Sequence, residues 1–437
     1  MNKLYSALLL GLLTIGFTAC DEECDNLHRD NLAHYPNVLK GSFPTEAQVL
    51  EIGQEVIIDP TLADSTNARY SWLINGTEVS TDTTYTYKVD KPCREELVCI
   101  IKNPYGSVEM KTTIRSNHDF SKGFFYIADG TFNFYDTEKK AAYPDCYGSL
   151  NAGAKFSDKK LEVRSANGKF YVLSSSNTTN LEHFYVMDAK TLNYENSASI
   201  EANLSGLTIL NENYGLLSGS GVRRVDLKSL GTTQLLDEYM FGIYNSMVYG
   251  ENLLSSTTYG AGTSAKVTYY KVAQLLDAPK GKLPESKELD IVHNCKENFV
   301  IAKDGNSYTL ETSAEGYNIV KIASDLSLEK TALGFEPSKN KYWSDKTIGI
   351  VASTTENAIY IPAVNGDIYK YIPSNPTSLQ MPFIAAGELK GVISTLQINN
   401  QTGELYVPYS TGIGVYSKEG KMEYLVKCSN PSYVLFN

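Results

Sequence analysis

Residues 123–137 read Gly-Phe-Phe-Tyr-Ile-Ala-Asp-Gly-Thr-Phe-Asn-Phe-Tyr-Asp-Thr: an aromatic and aliphatic run, an Asp-Gly turn and a second alternating run. Similar segments recur along the rest of the chain. The seven segments are Gly123–Tyr135, Lys169–Met187, Tyr214–Val225, Asn252–Val272, Ser307–Ile322, Ala358–Tyr371 and Glu404–Tyr416. They begin roughly 40 to 55 residues apart, a spacing typical of propellers and repeat arrays. The sequence therefore predicts an all-β protein with a β-propeller over residues 120–437.

Each repeat has room for four strands separated by polar turns, which we call A (innermost), B, C and D (outermost). In the sixth repeat these strands are expected at Thr347–Ser353, Ala358–Pro362, Asp367–Ile372 and Ser378–Ile384. No segment after residue 120 has a helical period, which argues against a parallel α/β design. Seven blades are predicted. The alternative is six, in which a weak repeat such as the third forms only a hairpin.

The two ends of the predicted propeller complement each other. The first segment begins at Gly123 without a strand A before it, and the chain ends with the unpartnered apolar segment Ser432–Asn437. If this last segment supplies the missing strand, the ring closes and two exposed strand edges disappear. We therefore predict closure by the C-terminal strand.

Residues 37–117 show short alternating segments with turn signals about every 8 to 12 residues, a pattern typical of a β-sandwich. Tyr70-Ser71-Trp72-Leu73-Ile74-Asn75-Gly76 and Cys99-Ile100-Ile101-Lys102-Asn103-Pro104-Tyr105-Gly106 resemble PKD-like or immunoglobulin-like domains. The resemblance implies that Trp72 fills the core and that Cys99 faces it. Ile57 stands where a second Cys would, so no inter-sheet disulfide is expected. The domain is interpreted as a spacer without a site of its own.

Residues 1–19 resemble a bacterial lipoprotein signal peptide. The apolar stretch from Ala7 to Phe17 is too short to span a bilayer as a permanent helix. Phe17-Thr18-Ala19-Cys20 resembles a lipobox, which implies cleavage before Cys20 and acylation of that residue. An ordinary signal peptide with a coincidental Cys is the alternative.

The segment after Cys20 carries a second resemblance. Asp21-Glu22-Glu23 is similar to the surface-export signal of Bacteroidetes lipoproteins, and residues 20–36 are expected to form a flexible tether. The implied location is the outer membrane, attached by lipid and exposed on the cell surface. A merely solvated tether is the alternative interpretation of the acidic run.

Composition and charge argue against several classes of function. The net charge is −11 and no basic stripe is present, so nucleic-acid binding is not expected. The five His are scattered without a chelating spacing, and no metal or other cofactor is predicted. The Cys spacings match no metal or redox motif, and most Cys are expected to be buried core residues. No Gly-x-Ser-x-Gly motif or phosphate-binding loop is present, so no catalytic residue is assigned and no enzyme is expected.

The repeats themselves resemble a known group. Tyr126-Ile127-Ala128-Asp129-Gly130 with Phe134-Tyr135-Asp136-Thr137, and Phe184–Leu192, are similar to the repeats of YncE-like surface propellers. Together with the PKD-like domain they resemble Bacteroidetes cell-surface lipoproteins. Some propellers of that kind capture cobalamin for a TonB-dependent outer-membrane transporter, and others accompany glycan uptake. The resemblance implies a binding protein of a nutrient-acquisition system, with such a transporter as partner and a glycan or a corrinoid as ligand.

A ligand is expected at the propeller face where the B–C connections and the connections from strand D to the next strand A emerge. Trp343 is the central candidate because it lies in a polar segment without an evident core to fill, and flat rings suit sugars and macrocycles. The candidates are Trp343, Tyr342, Asp345, Tyr259, Tyr239, Phe241, Tyr244, Asn177, Asp129, Tyr317 and Asn365. Packing between blades is the structural alternative for Trp343, and turn formation is the alternative for the polar candidates.

The 31 Tyr have two interpretations. Most are explained by the preference of Tyr for half-buried strand faces, and some could offer stacking surfaces. Two other functions also stay open. A protein-interaction or adhesion scaffold would show a flat apolar rim. A polysaccharide lyase or glycoside hydrolase would show two carboxylates, or a Tyr and a His, at one mouth of the channel.

Overall fold

The computed structural model describes residues 34–156, 160–175, 181–219, 221–236, 241–259, 265–293, 299–339, 348–389 and 391–436. Almost all of the regular structure is β, which confirms the predicted fold class. The chain forms two compact units, with the division between Asn117 and His118.

The described residues of the first unit form seven strands in two sheets. The strands are β1 (Gln48–Glu51), β2 (Glu55–Ile58), β3 (Arg69–Ile74), β4 (Thr77–Ser80), β5 (Tyr85–Lys88), β6 (Arg94–Asn103) and β7 (Gly106–Asn117). Five of them are ordered β1-β7-β6-β3-β4, and β2 pairs with β5. In the β3–β4 turn, Asn75 and Gly76 have φ angles of 48° and 80°, the left-handed pair that this two-residue hairpin turn requires.

Trp72 lies at the centre of the first unit's core, as predicted. Its side chain is fully buried, and Cys99 lies directly opposite it on β6. The indole stacks on Tyr85 with ring centroids 5.5 Å apart. Its Nε1 donates to the carbonyl oxygen of Asp82 at 2.8 Å, so the one polar atom of the ring has a partner.

The cysteines among the described residues are reduced and packed in the protein. Cys93, Cys99 and Cys146 are buried, and Cys428 is half-buried. The predicted position of Ile57 opposite the core Cys is wrong by one residue. Ile57 is 70% exposed, whereas Ile58 is 2% exposed and packs in the core with Trp72. Because side chains alternate along a strand, this shift of one residue turns Ile57 to solvent.

The described residues of the second unit form seven sheets. Their strands are β8 (Gly123–Ala128), β9 (Thr131–Asp136), β10 (Ala141–Tyr143), β11 (Lys160–Ala166), β12 (Lys169–Ser175), β13 (Leu181–Asp188), β14 (Tyr194–Glu201), β15 (Leu204–Ile209), β16 (Tyr214–Gly219), β17 (Gly221–Asp226), β18 (Thr232–Leu236), β19 (Phe241–Tyr249), β20 (Asn252–Tyr259), β21 (Ala265–Lys271), β22 (Lys287–His293), β23 (Val300–Ile301), β24 (Ser307–Ser313), β25 (Gly316–Ile322), β26 (Leu328–Ala332), β27 (Val351–Ala352), β28 (Ile359–Pro362), β29 (Ile368–Tyr371), β30 (Gln397–Ile398), β31 (Leu405–Tyr409), β32 (Gly412–Tyr416), β33 (Met422–Lys427) and β34 (Pro431–Leu435).

Numbered along the chain, the first sheet has the order β34-β8-β9-β10. The second to fifth sheets are β11–β14, β15–β18, β19–β22 and β23–β26. The sixth is β27–β29 and the seventh is β30–β33. Every repeat segment of the sequence is the central B–C hairpin of one sheet, and the third repeat forms a complete four-stranded sheet.

Neighbouring sheets meet along their innermost strands. Strand β11 contacts β15, β15 contacts β19, β23 contacts β27, β27 contacts β30, and β30 contacts β34. Meandering sheets arranged in this way around their inner strands are characteristic of a β-propeller.

The C-terminal strand closes the propeller, as predicted. β34 is strand A of the first sheet, and Tyr433, Val434 and Leu435 lie opposite Ile127, Tyr126 and Phe125 of β8. Val434 is 1% exposed and packs in a cluster that contains Phe124 of the first sheet and Tyr406 of the seventh. The last strand therefore joins both ends of the second unit.

The sixth sheet departs from the predicted pattern. In place of the expected outer strand Ser378–Ile384, the structure has a 3₁₀ turn at Pro376–Gln380 and a single bridge between Ile368 and Ile384. Pro376 and Pro382 explain the difference. Pro376 begins the 3₁₀ turn, and Pro382 interrupts the expected strand because proline has no N–H to donate to a strand ladder.

Two short helices occur where the sequence predicted none. They are α1 (Cys146–Leu150) and α2 (Val272–Asp277), and a further 3₁₀ turn lies at Phe120–Lys122. The side chain of Asp145 accepts a hydrogen bond from the backbone N–H of Gly148 and caps α1. Helices of one turn are too short to produce a periodic signal. None of the helices among the described residues has the length and apolar character needed to cross a membrane.

Many Tyr side chains serve the core rather than a surface. In the fifth, sixth and seventh sheets, a buried Tyr on strand B donates a hydrogen bond to a carboxylate of the preceding A–B turn. The pairs are Tyr308 with Asp304 (2.6 Å), Tyr360 with Glu356 (2.6 Å) and Tyr406 with Glu404 (3.1 Å). Burial raises the pKa of each of these Tyr hydroxyls, which stay protonated as donors. These buried hydrogen bonds favour the interpretation that most Tyr side chains stabilise the strands and the core rather than contact a ligand.

Val434→Asp is expected to destabilise the second unit by roughly 4 kcal/mol or more, because it buries a charge without a partner at the point of closure. Val364→Asp is the matched control, since Val364 is 53% exposed in the B–C turn of the sixth sheet, and it should change stability by no more than about 0.5 kcal/mol. Denaturant unfolding of the two variants measures the difference. Equal stability of both variants would show that the last strand does not hold the ring.

Candidate functional site

The topology sorts the connections of the second unit into two faces. In sheets whose four strands run alternately up and down, the B–C turn and the D-to-A connection lie at one end. The A–B and C–D turns lie at the other. We call these ends the B–C face and the A–B face. Asp129 and Asn365 lie in B–C turns, and Tyr317 is the second residue of strand β25 beside a third B–C turn.

Several predicted site residues cannot be placed. Trp343, Tyr342, Asp345, Tyr239 and Asn177 lie outside the described residues, as does the lipidation candidate Cys20. Their role stays a prediction. The strands that flank the five ligand candidates in sequence are β12 and β13, β18 and β19, and β26 and β27, and their adjoining ends lie at the B–C face.

Three aromatic candidates lie in strands rather than in connections. Phe241 and Tyr244 belong to the inner strand β19, and Tyr259 is the last residue of β20. Phe241 pairs with Tyr259 in the backbone register. The β19–β20 ladder therefore reaches these candidates, because aromatic and β-branched residues favour strand pairing.

Asp129 and Asn365 have clear structural roles. Asp129 is exposed and has a φ of 50°, and Gly130 has a φ of 75°, so the two residues form the tight turn between β8 and β9. Asn365 donates from Nδ2 to Asp367 Oδ2 at 2.7 Å and accepts from the Asp367 N–H at 3.1 Å. Both side chains thus act in their own turns, and no described contact brings Asp129 together with Asn365 or Tyr317.

Tyr317 belongs to a charged cluster. Its hydroxyl donates to Glu336 Oε1 at 3.2 Å, and the same oxygen lies 2.6 Å from Lys339 Nζ. The hydrogen bonds from Lys339 and Tyr317 lower the pKa of Glu336, and Glu336 raises the pKa of Lys339. Both groups therefore stay charged near neutral pH, with about two fifths of each side chain exposed.

A pair of stacked rings lies in the same region. Phe335 and Tyr369 are half-buried, with centroids 3.9 Å apart and planes 12° from parallel. Phe335 precedes Glu336 in the D-to-A connection after the fifth sheet, and Tyr369 lies on strand C of the sixth sheet. The connection is held against the sixth sheet because the Val364 N–H donates to the Glu336 carbonyl at 2.9 Å.

We call Tyr317, Phe335, Glu336, Lys339 and Tyr369 the rim cluster. It combines partly exposed ring surface with a fixed carboxylate and a fixed ammonium group, a combination that can contact a flat polar ligand. The sequence analysis identified only Tyr317 of the five as a site candidate. Phe335, Glu336 and Lys339 lie directly before the predicted Tyr342-Trp343 segment, and this proximity was the available signal.

A second polar cluster links the inner strands of the first two sheets. The hydroxyl of Tyr433 on β34 donates to Glu162 Oε2 on β11 at 2.5 Å. Arg164 Nη2 lies 2.5 Å from Glu162 Oε1. Glu162 is thus held by an ion pair within β11 and by a hydroxyl from the first sheet, and sequence reasoning did not find the cluster because Tyr433 and Glu162 are far apart in the chain.

Glu311 is a buried carboxylate near the B–C face. It is 4% exposed and accepts hydrogen bonds from Lys330 Nζ (2.8 Å), Asn318 Nδ2 (3.0 Å) and the Val292 N–H (3.3 Å). Burial alone would raise its pKa, but these three donors outweigh burial and hold the pKa below 4.5. With both oxygens occupied by protein donors, Glu311 serves to join the fourth and fifth sheets.

The side chains that commonly bind metals form no metal site in the part of the chain that is described. No three His, Cys, Asp or Glu side chains lie close enough together there to hold a metal ion.

Comparison with known families assigns both units. The model of the family described as "Domain of unknown function (DUF5074)" matches residues 120–429, most of the chain. The chain belongs to this family. A PKD-like domain matches residues 36–103, which agrees with the expected PKD-like fold of the first unit.

Among solved structures, the DUF5074 chain is similar to a quinonprotein alcohol dehydrogenase-like protein from Bacteroides thetaiotaomicron VPI-5482. The two are 53% identical, with 92% of this chain and 99% of that chain covered and a TM-score of 0.88. A functionally unknown protein from Desulfotomaculum acetoxidans is 10% identical, with coverage of 72% and 99% and a TM-score of 0.46. A comparison with curated proteins finds no match.

Glu311→Gln is expected to destabilise the second unit by roughly 1–3 kcal/mol at pH 7, because it removes the charge from a buried hydrogen-bonded carboxylate. The folded pKa of Glu311 is below 4.5, so its stabilisation is present above that pH and is lost as the pH falls through the folded pKa. The difference in unfolding free energy between wild type and variant should therefore narrow below about pH 4.5.

The control is Glu329→Gln, since Glu329 forms an exposed pair with Lys321 in the same sheet. An exposed pair contributes at most about 1 kcal/mol. Denaturant unfolding between pH 3 and 7 checks both variants. A constant difference for Glu311→Gln across this range would contradict the assigned role.

Proposed function

We propose that the protein is a lipid-anchored cell-surface binding protein of a nutrient-acquisition system. Its propeller captures a small ligand at the B–C face and passes it to an outer-membrane transporter. The observation that carries this proposal is the rim cluster, in which the Phe335–Tyr369 stack lies beside the charged pair of Glu336 and Lys339.

The chemistry of the rim cluster supports a ligand with a flat surface and polar edges. Ring faces contact sugar rings or macrocycles, while Lys339 donates and Glu336 accepts hydrogen bonds. A glycan and a corrinoid both have these properties, and the ligand class we propose is one of these two. The charged groups at the rim argue against the flat apolar surface of an adhesion scaffold.

We propose binding without catalysis. The name of the similar Bacteroides structure describes a dehydrogenase-like protein, and that description belongs to that protein. In this chain, the pKa of Glu336 is lowered by Lys339 and Tyr317, so the carboxylate is poorly suited to donate a proton as a general acid. In a binding role, the charged Glu336 and Lys339 would hydrogen-bond the ligand without any proton transfer.

The proposed anchor rests on the N-terminal sequence, and the proposed partner rests on the resemblance to surface lipoproteins. Acylation of Cys20 would hold the chain at the membrane, since each buried methylene contributes about 0.8 kcal/mol. Residues 20–36 and the PKD-like domain would then separate the propeller from the bilayer. A TonB-dependent transporter is the proposed partner because a surface ligand must still cross the outer membrane.

Tyr369→Ala is expected to weaken ligand binding at least tenfold, or about 1.4 kcal/mol, because it removes one ring of the stack. Lys339→Ala should weaken it as well by removing a donor. Calorimetric titration of the protein with cobalamin and a polysaccharide panel measures both effects. Tyr105→Ala is the control, since Tyr105 is 44% exposed and belongs to the first unit.

Two results would contradict the rim as the ligand site. One is wild-type affinity in Tyr369→Ala and Lys339→Ala. The other is the absence of binding by the wild-type protein to any ligand of the two proposed classes.

Cys20→Ser is expected to move the protein from the membrane fraction to the soluble fraction, because it removes the residue that carries the acyl chains. Cys24→Ser is the matched control and should stay with the membrane. Protease treatment of intact cells should degrade the wild-type chain if it is exposed at the surface. Membrane association of Cys20→Ser, or full protection from the protease, would contradict the anchor or the surface location respectively.

A further inference from the structure

A cleft of about 470 Å³ opens between the second and third sheets at the A–B face, on the opposite side of the second unit from the rim cluster. Its polar wall includes Asn167, Lys169, Glu195, Asn196 and Asn213. The volume lies within the range of about 300–1,000 Å³ that is typical of small-molecule sites.

The floor of the cleft is apolar and well packed. Val186 and Leu227 are 2% and 5% exposed and belong to the core cluster that joins the two sheets. Tyr171 is also 2% exposed and belongs to the same strand as Lys169. A floor made from core residues gives the cleft a fixed shape, because close-packed interiors resist deformation.

Three of the polar residues that line the cleft are Asn. Asn196 Nδ2 donates to the Lys228 carbonyl at 3.4 Å and links the second sheet to the C–D turn of the third. Asn213 Nδ2 lies 3.5 Å from Glu212 Oε1, a weak contact at the edge of the cleft. Each Asn side chain has two donor hydrogens and an acceptor oxygen, so the amides of this wall can both donate to and accept from a ligand.

The charges around the cleft balance. Lys169 forms an ion pair with Glu195, and this hydrogen bond raises the pKa of Lys169. Lys228 and Glu212 add one further charge of each sign. Two cations and two anions give no net attraction for an anionic or a cationic ligand, but all four groups can hydrogen-bond a neutral one.

We propose that this cleft binds a neutral, hydroxyl-rich ligand of the saccharide class. Each sugar hydroxyl donates and accepts, which matches the amides of the wall. The small apolar floor closes the bottom of the cleft, and the balanced charges disfavour ionic competitors. The site is separate from the rim cluster and does not depend on the function proposed for it.

The test is calorimetric titration and saturation-transfer NMR of the full-length protein with maltose, cellobiose, lactose and chitobiose. At least one disaccharide is expected to bind. Asn196→Ala and Asn213→Ala should each raise the dissociation constant of the bound disaccharide at least tenfold. Asn196→Trp should abolish binding because the indole fills the cleft.

Two control variants keep the result specific. Lys88→Ala breaks a Lys–Glu pair of the first unit (3.3 Å), and Lys266→Ala breaks a Lys–Glu pair of the fourth sheet (2.6 Å), both outside the cleft. Both should bind as wild type does, and thermal melting confirms that all variants are folded.

The proposal is wrong if no disaccharide binds, or if folded Asn213→Ala and Asn196→Trp keep wild-type affinity. Loss of saccharide binding in Tyr369→Ala alone would place the sugar at the rim cluster instead.

Discussion

The pairing of the last strand with the first sheet is the constraint on which the second unit depends. β34 supplies the missing inner strand beside β8, and Val434 is buried between residues of the first and seventh sheets. Without it, β8 would present a free edge of unpaired N–H and C=O groups, and the apolar faces of two sheets would be exposed to water. Closure also brings together residues from the two ends of the second unit, so the first and seventh sheets become neighbours.

Polar contacts between sheets add to this closure. Tyr433 reaches from the first sheet to Glu162 of the second, Thr208 Oγ1 of the third donates to the Ser246 carbonyl of the fourth, and Val292 of the fourth donates to Glu311 of the fifth. A buried polar group without a partner is costly, so such contacts restrict how neighbouring sheets can be placed. The core and these contacts together form a rigid scaffold, and the connections at its two faces are free to differ in sequence.

The two faces differ in the chemistry that they offer. At the B–C face, the rim cluster presents stacked rings next to one charged pair, which suits a ligand with an extended flat surface. At the A–B face, the cleft presents amides and balanced charges over an apolar floor, which suits a compact polar ligand. Two faces with different chemistry would let one propeller contact two ligands, or two parts of one large ligand, at the same time.

The sequence by itself determined the hairpins, the turn residues and the closure, because alternation, Asp-Gly turns and an unpartnered terminal strand are local signals. It also contained Pro382, which lies within the expected outer strand of the sixth sheet and interrupts it. Only the tertiary structure decided that Phe335 stacks on Tyr369, that Glu162 meets Tyr433, and that a cleft opens between the second and third sheets. These contacts join different sheets, and their geometry depends on how whole sheets pack around the axis, which no periodicity within a single strand can specify.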